Sequence, residues 1–300
     1  MSIIGKFFTF NDLVRDKLCN NLNYPNVTVI KDICYDKSNE KVCTADLFFD
    51  KSKLPKSGKY PVMLKIHGGG WIVGDKKFRR GYALQLADEG VFVVNINYAL
   101  APEYTFPYPI QNCFAALAWI KNNANKYHLD LDSLFVAGDS AGAHMTAVVC
   151  AALTNPDYRK KLGCPDVDIK PVGALHYCGI YDFNTYKLRL PITRAMLRDY
   201  TGCKVKNASS WEYYGLLNPI NYINSEYPPS LVVSAKKDFM AGNNHELLMT
   251  QLDKVKVPYM NYRGKKFLNS LHCFHLIIFM SGAKKCLEES RKFVSDRIAR

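Results

Sequence analysis

The five residues Gly138-Asp139-Ser140-Ala141-Gly142 constrain this chain more than any other segment. They stand between a short apolar run, Leu134 to Ala137, and a stretch that is apolar on nearly every side, Ala141 to Leu153. Such runs read as a buried strand and a helix packed against a sheet. The pentad must therefore turn strand into helix within a few residues. A turn that tight needs small residues on both flanks, and it thrusts the Ser140 hydroxyl out above the sheet. The helix that follows points its free amides at the same place.

The rest of the chain supplies the sheet. Tyr60 to Ile66 and Val91 to Ile96 read as buried strands, with a helix over Phe78 to Glu89 between them. Ile110 to Tyr127 reads as a helix with Phe114, Leu117, Ala118 and Ile120 on its apolar side. Val172 to Cys178, Ser230 to Ala235 and Pro258 to Tyr262 continue the strands; Asn243 to Val255 and Ala283 to Ile298 continue the helices. Val27 to Tyr35 and Val42 to Phe49 read as an opening hairpin turning near Ser38 and Asn39. An antiparallel pair followed by alternating helices and strands predicts a single α/β domain over residues 1–300, a mostly parallel sheet with helices on both faces. Two regions fall outside the alternation, about 1–24 and 183–224, and are expected to lie over the sheet as a small helical cap.

Chemistry gathers at four places. His67-Gly68-Gly69-Gly70-Trp71 follows the strand ending at Ile66. Three glycines let the backbone approach a ligand and aim N–H groups inward, which acyl transfer needs because its tetrahedral intermediate carries negative charge on oxygen. A nucleophilic serine also needs a base and an acid that orients it. In the α/β-hydrolase fold the chain order is serine, acid, histidine. Asp238, after the strand Ser230 to Ala235, and His272, in the loop after the next strand, fit that order. His275 adjoins an apolar run and reads as a core or supporting residue. His144 lies one helical turn beyond Ser140, too rigidly placed to be the base; His245 lies on a helix beyond the acid, and His128 and His176 have no motif around them. Glu246 and Asp253 read as a solvated helix face.

With these motifs in order the chain resembles the hormone-sensitive-lipase-like esterases of the α/β-hydrolase fold. The resemblance rests on HGGGW (67–71), NYALAPEYTFP (97–107), GDSAG (138–142), Asp238 and His272-Cys273-Phe274, and runs from about Val27 to the C-terminus. It implies Ser140 as nucleophile, His272 as general base and Asp238 as its orienter. It assigns the oxyanion hole to the backbone amides of Gly69, Gly70 and Ala141, and has His67 brace the glycine loop. It implies no cofactor, no metal, and a small-molecule ester of short to medium acyl chain as substrate. Three positions depart from the pattern: Ala99 where the family usually has arginine, Gly242 where it often has a second acid, and Cys273 where its His-Gly-Phe motif has glycine. HGGGW followed by Gly74-Asp75 also occurs in groups resembling feruloyl and acetyl-xylan esterases. An amidase or arylformamidase would share the same triad, and receptors of the same fold bind ligand with an incomplete one.

The formal net charge is +13, which favours anionic surfaces but says little about fold. The densest cationic cluster, Lys76, Lys77, Arg79 and Arg80, reads as the solvated start of a helix, and no nucleic-acid-binding motif accompanies it. The ten cysteines have no metal-type spacing and read as reduced core thiols of a cytoplasmic protein. The apolar N-terminus is broken at Lys6 and again from Asp12, too early for a signal-peptide core. Leu276 to Met280 is too short to span a bilayer. The sequence does not set the oligomeric state.

Overall fold

Strand-forming segments supply β1 (Val27–Cys34), β2 (Thr44–Asp50), β3 (Tyr60–Ile66), β4 (Phe92–Ile96), β5 (Leu129–Asp139), β6 (Gly173–Tyr177), β7 (Ser230–Ala235) and β8 (Tyr259–Gly264). The helices are α1 (Arg80–Ala87), α2 (Tyr108–Asn122), α3 (Ala124–Tyr127), α4 (Ala141–Thr154), α5 (Pro156–Lys161), α6 (Pro191–Thr201), α7 (Asn244–Lys254) and α8 (Ser281–Ile298). The computed structural model describes residues 9, 12–14, 16–17, 20, 22–185, 191–203, 211–265 and 267–298. Most of the expected N-terminal helix, and parts of the segment 183–224, lie outside the described residues.

All eight strands join one sheet in the order β1-β2-β4-β3-β5-β6-β7-β8. β1 and β2 run antiparallel to their neighbours, and every pairing from β4 through β8 is parallel. This is the predicted mostly parallel sheet with its opening hairpin. Residues on the inner strands are buried on both sides, which is why β3 reads as the nearly unbroken apolar run YPVMLKI rather than an alternation. Val62, Leu64 and Ile66 face a core shared with α2, α4 and α7. Met63, Phe135, Leu175 and Val233 face a second core closed by α1 and α8. No helix among the described residues is long and apolar enough to cross a membrane.

Several boundaries shift for local reasons. The expected helix over Ile110 to Tyr127 is two helices, because Asn123 leaves helical geometry and its side-chain amide donates to the Trp119 carbonyl. The expected strand at Leu134 to Ala137 is longer, since Leu129 and Asp130 also pair with Tyr60 and Pro61 of β3. The expected helix start at Phe78 is a 3-10 turn, Lys76–Arg79, capped by the Asp75 carboxylate.

The cationic cluster at 76–80 corrects the sequence expectation. Lys76 and Arg79 are buried, not solvated. Lys76 pairs with Asp32 at 2.6 Å and Asp46 at 2.9 Å, and Arg79 pairs with Asp139. A basic run at a helix start is normally solvated, but here carboxylates from distant strands, Asp46 and Asp139 among them buried, neutralise Lys76 and Arg79.

The strand-to-helix turn is sterically closed. A side chain at Gly138 would collide with the Gly142 carbonyl, and one at Gly142 with the carbonyls of Ile66 and His67. Gly142→Ala is expected to cost about 1–3 kcal/mol by overpacking. It should appear as a lower urea midpoint with an unchanged m-value.

Candidate active site

Parallel strands deliver their following loops to one edge of the sheet. The carboxyl end of β3 leads into the glycine loop, that of β5 into Ser140, that of β7 into Asp238, and the loop after β8 carries His272. Ile66 and Gly138 are register partners, so the glycine loop and the serine turn start side by side.

The three residues expected to act together do meet. His272 Nε2 lies 2.8 Å from Ser140 Oγ. His272 Nδ1 lies 2.9 and 2.8 Å from the two Asp238 carboxylate oxygens. Asp238 is fixed in turn by N–H groups of Met240 at 3.0 Å and Ala241 at 2.8 Å. With Nδ1–H donating to the carboxylate, Nε2 is the ring atom left to accept from the serine. Ser140 itself sits at φ 53°, in the left-handed region that non-glycine residues rarely occupy, and its N–H is held by the Tyr177 carbonyl at 2.8 Å.

Among the described residues, the amides of Gly69, Gly70 and Ala141 donate to no protein group. Gly69 and Gly70 take φ of 134° and 59°, which aims the loop backbone in a way a side chain would oppose. His67 is buried, its Nδ1 lies 2.8 Å from the Gly68 carbonyl, and its ring stacks on Tyr98. Tyr98, from the 97–107 segment, donates its hydroxyl to the His67 carbonyl at 2.9 Å. That segment therefore sets the glycine loop from behind. Ala101 N–H adds a bond to the Trp71 carbonyl at 2.9 Å.

Beneath the serine lies a network the sequence reading missed. Asp139 is fully buried and accepts from Gly68 N–H at 3.2 Å and from Arg79 Nε at 3.1 and 3.0 Å. Lys65 Nζ lies 3.5 Å away, also fully buried. Arg79 reaches on to Asp12 at 3.3 Å. Burial alone would raise the Asp139 pKa, but Arg79 and Lys65 outweigh it and hold the carboxyl well below the usual range. The signal was present: a lone lysine in an otherwise apolar strand, beside the aspartate that ends the neighbouring one.

The other histidines stay apart from the serine. His144 Nε2 meets the Leu217 carbonyl at 2.9 Å, and His176 Nε2 meets Tyr227 Oη at 3.2 Å. His275 stacks on Tyr177, His245 lies on α7, and His128 caps α3 at the surface. Burial lowers His67, His144 and His176 each to about 4. His272 differs. Burial opposes its charge too, but Cys273 and Asp238 outweigh it and raise the imidazole well above its ordinary value. Glu246 and Asp253 are exposed on α7, as expected.

Above the glycine loop, α6 brings Met196 against Gly70 and Tyr200 flat onto Trp71, ring centroids 4.6 Å apart. His144 and Phe183 complete a buried aromatic cluster around Trp71. A separate cavity of about 620 Å³, lined by Lys170, Tyr227, Pro258 and Arg297 among others, opens at the amino ends of β6 to β8, the edge opposite Ser140.

A mostly parallel eight-stranded sheet carrying a serine on a strand–helix elbow at its carboxyl edge is the α/β-hydrolase fold. Solved structures agree. Esterase B from Lactobacillus rhamnosis superposes with a TM-score of 0.84 at 20% identity, covering 97% of this chain and 93% of its own. The model of the BD-FAE family matches residues 46–252, and the chain belongs to that family. Among relatives, Esterase LipQ of Mycobacterium tuberculosis is 30% identical over 186 residues, 60% of this chain and 42% of LipQ. An acetyl esterase of Salmonella schwarzengrund is 27% identical over 256 residues, 81% of this chain and 75% of its own. The chain spans less than half the length of the mycobacterial esterases it matches. The likeness to hormone-sensitive-lipase-like esterases is in keeping with these matches.

Two outcomes follow from the electrostatics. The His272 imidazole, followed by NMR, should keep its second proton above pH 6.5, and Asp238→Asn should bring its midpoint down. Asp139→Asn leaves Arg79 and Lys65 buried beside a neutral group and should cost about 3–5 kcal/mol at pH 7. The Asp139 pKa is depressed on folding, so its stabilisation is present above the ordinary carboxylate range and lost as pH falls through the folded value. The variant should therefore show a shallower loss of stability below about pH 4 in urea unfolding.

Proposed function

We propose that the chain is a serine esterase that hydrolyses carboxylic esters of short to medium acyl chain through an acyl-enzyme. Ser140 attacks the acyl carbon while His272 Nε2 takes its proton. Asp238 holds Nδ1–H and stabilises the imidazolium that forms. The amides of Gly69, Gly70 and Ala141 receive the charge that develops on the carbonyl oxygen, each such donor being worth about 3 kcal/mol of barrier. His272 then protonates the leaving alcohol and activates the water that frees the enzyme. His67 acts as a brace for the glycine loop. Each step is acid–base and nucleophilic chemistry of the chain itself.

The observation that carries this reading is the unbroken hydrogen-bond chain from Asp238 through His272 to Ser140, set beside three amides that donate to no protein group among the described residues. The complete triad favours turnover over a purely ligand-holding role. The names of the relatives support an ester substrate.

In this proposal the segments about 1–24 and 183–224 are a cap on a single catalytic domain. Support comes from α6, whose Met196 and Tyr200 lie over the glycine loop and Trp71. Large apolar side chains packed this close to Gly70 favour short acyl groups. We further assign the protein to the cytoplasm, with a small ester rather than nucleic acid as its partner. Nine described cysteines, all free thiols, fit a reducing compartment.

The test is hydrolysis of p-nitrophenyl esters from acetyl to palmitoyl by wild type and Ser140→Ala. Wild type should turn over the short members best, and the variant should lose turnover by about a million-fold. Equal rates in the two proteins would overturn the mechanism, and a preference for matched amides would move the substrate class.

A further inference from the structure

One side chain at the site has no part in the reaction above. Cys273 follows the histidine directly and sits at φ 54°, a backbone conformation that glycine takes at no cost and other residues rarely adopt. The turn alone therefore gives no reason for a thiol. Its N–H donates to the Cys178 sulfur at 3.4 Å. Cys178 follows β6 directly, and its own N–H bonds to the Val233 carbonyl of β7. Two thiols from separate parts of the chain thus come together beside His272. The two sulfurs and a ring nitrogen of His272 all lie within 4.8 Å of one another. Both cysteines are buried, while the His272 side chain keeps 15% of its surface exposed.

We propose that Cys178, Cys273 and His272 form a binding site for a thiophilic divalent cation of the zinc class, and that filling it takes the imidazole away from Ser140. The donor set, two sulfurs and one imidazole, is what such a cation prefers. Zinc–sulfur bonds of about 2.3 Å and zinc–nitrogen bonds of about 2.1 Å put tetrahedral ligands roughly 3.5 Å apart. The three atoms lie within 4.8 Å and so need to close by about 1.3 Å at most. A fourth position remains for water or for the Asp238 carboxylate.

The protons balance simply. The cation takes both thiols as thiolates and releases their protons, so binding strengthens as pH rises. The hydrogen bond from Cys178, aided by His272 and opposed by burial, lowers the Cys273 thiol below its ordinary value. Cys178 is pushed up in return by that same bond and by burial. Each imidazole nitrogen has a single lone pair or a single N–H. Metal at Nε2 ends acceptance from Ser140, and metal at Nδ1 ends the bond to Asp238. Either removes the base.

This inference rests on His272 being the general base, but the binding itself is tested without turnover. Cobalt titrated into Ser140→Ala, with a phosphine reductant present, should give thiolate-to-cobalt charge-transfer absorption that saturates at one ion per chain and is displaced by zinc. Cys178→Ala should lose that absorption. So should Cys273→Gly, which suits the left-handed backbone at that position. In the hydrolysis assay zinc should inhibit wild type reversibly, with activity returning on chelation. Loss of an outer-shell partner of a metal ligand already costs about 10–100-fold in affinity. Loss of a thiolate ligand should then raise the half-inhibiting zinc concentration by about 100-fold or more in each cysteine variant, measured against its own zinc-free rate. Absence of the cobalt band, or equal zinc sensitivity in wild type and both variants, would overturn the site. If wild type hydrolyses no ester, the functional reading falls while the cobalt titration still decides the site.

Discussion

The buried carboxylate of Asp139 is the point from which the rest of the site is hung. It accepts from the first amide of the glycine loop, from a guanidinium at the start of α1, and lies beside the ammonium of Lys65 on β3. One anion thus registers three chain segments against the residue next to it, Ser140. A buried charge is tolerated only when paired and hydrogen-bonded. The cost of burying this one is offset by two cations and a backbone donor, and that pairing leaves it almost no freedom to move.

Geometry around it follows from packing against parallel strands. The loops after β3, β5, β7 and β8 all emerge at the carboxyl edge of the sheet, so residues from 67 to 272 converge without a long connection. Close approach then forces the backbone. Gly138 and Gly142 are glycine because carbonyls occupy the space a side chain would take, and Ser140 between them sits at positive φ with its N–H on the Tyr177 carbonyl. The 97–107 segment, though it supplies no group to the hydrogen-bonded triad, fastens the glycine loop through Tyr98 and Ala101.

Environment, rather than residue type, distinguishes the histidines. For His67, His144 and His176 burial is the largest influence, and it lowers each of them to about 4. His272 is also enclosed, yet Asp238 and Cys273 beside it reverse the direction. It is the one drawn between a carboxylate and a serine hydroxyl. The same neighbourhood that makes it basic also sets two thiols beside it.

Much of this was legible in the sequence. GDSAG between an apolar strand and an apolar helix, HGGGW after a strand, and an acid and a histidine in the right order all depend on local chain geometry, which nearby residues dictate. Those residues meet as the motifs imply. What the sequence left open was the pairing of distant, isolated residues. Lys76 and Arg79 looked like solvent-facing charges because their carboxylate partners come from β1, β2 and β5. Cys178 carried no motif, and its position beside His272 exists only once β6 lies between β5 and β7. Local turns and apolar periodicity are written in short stretches of chain; which buried charge or thiol meets which is set by strand order, and only the folded sheet determines that.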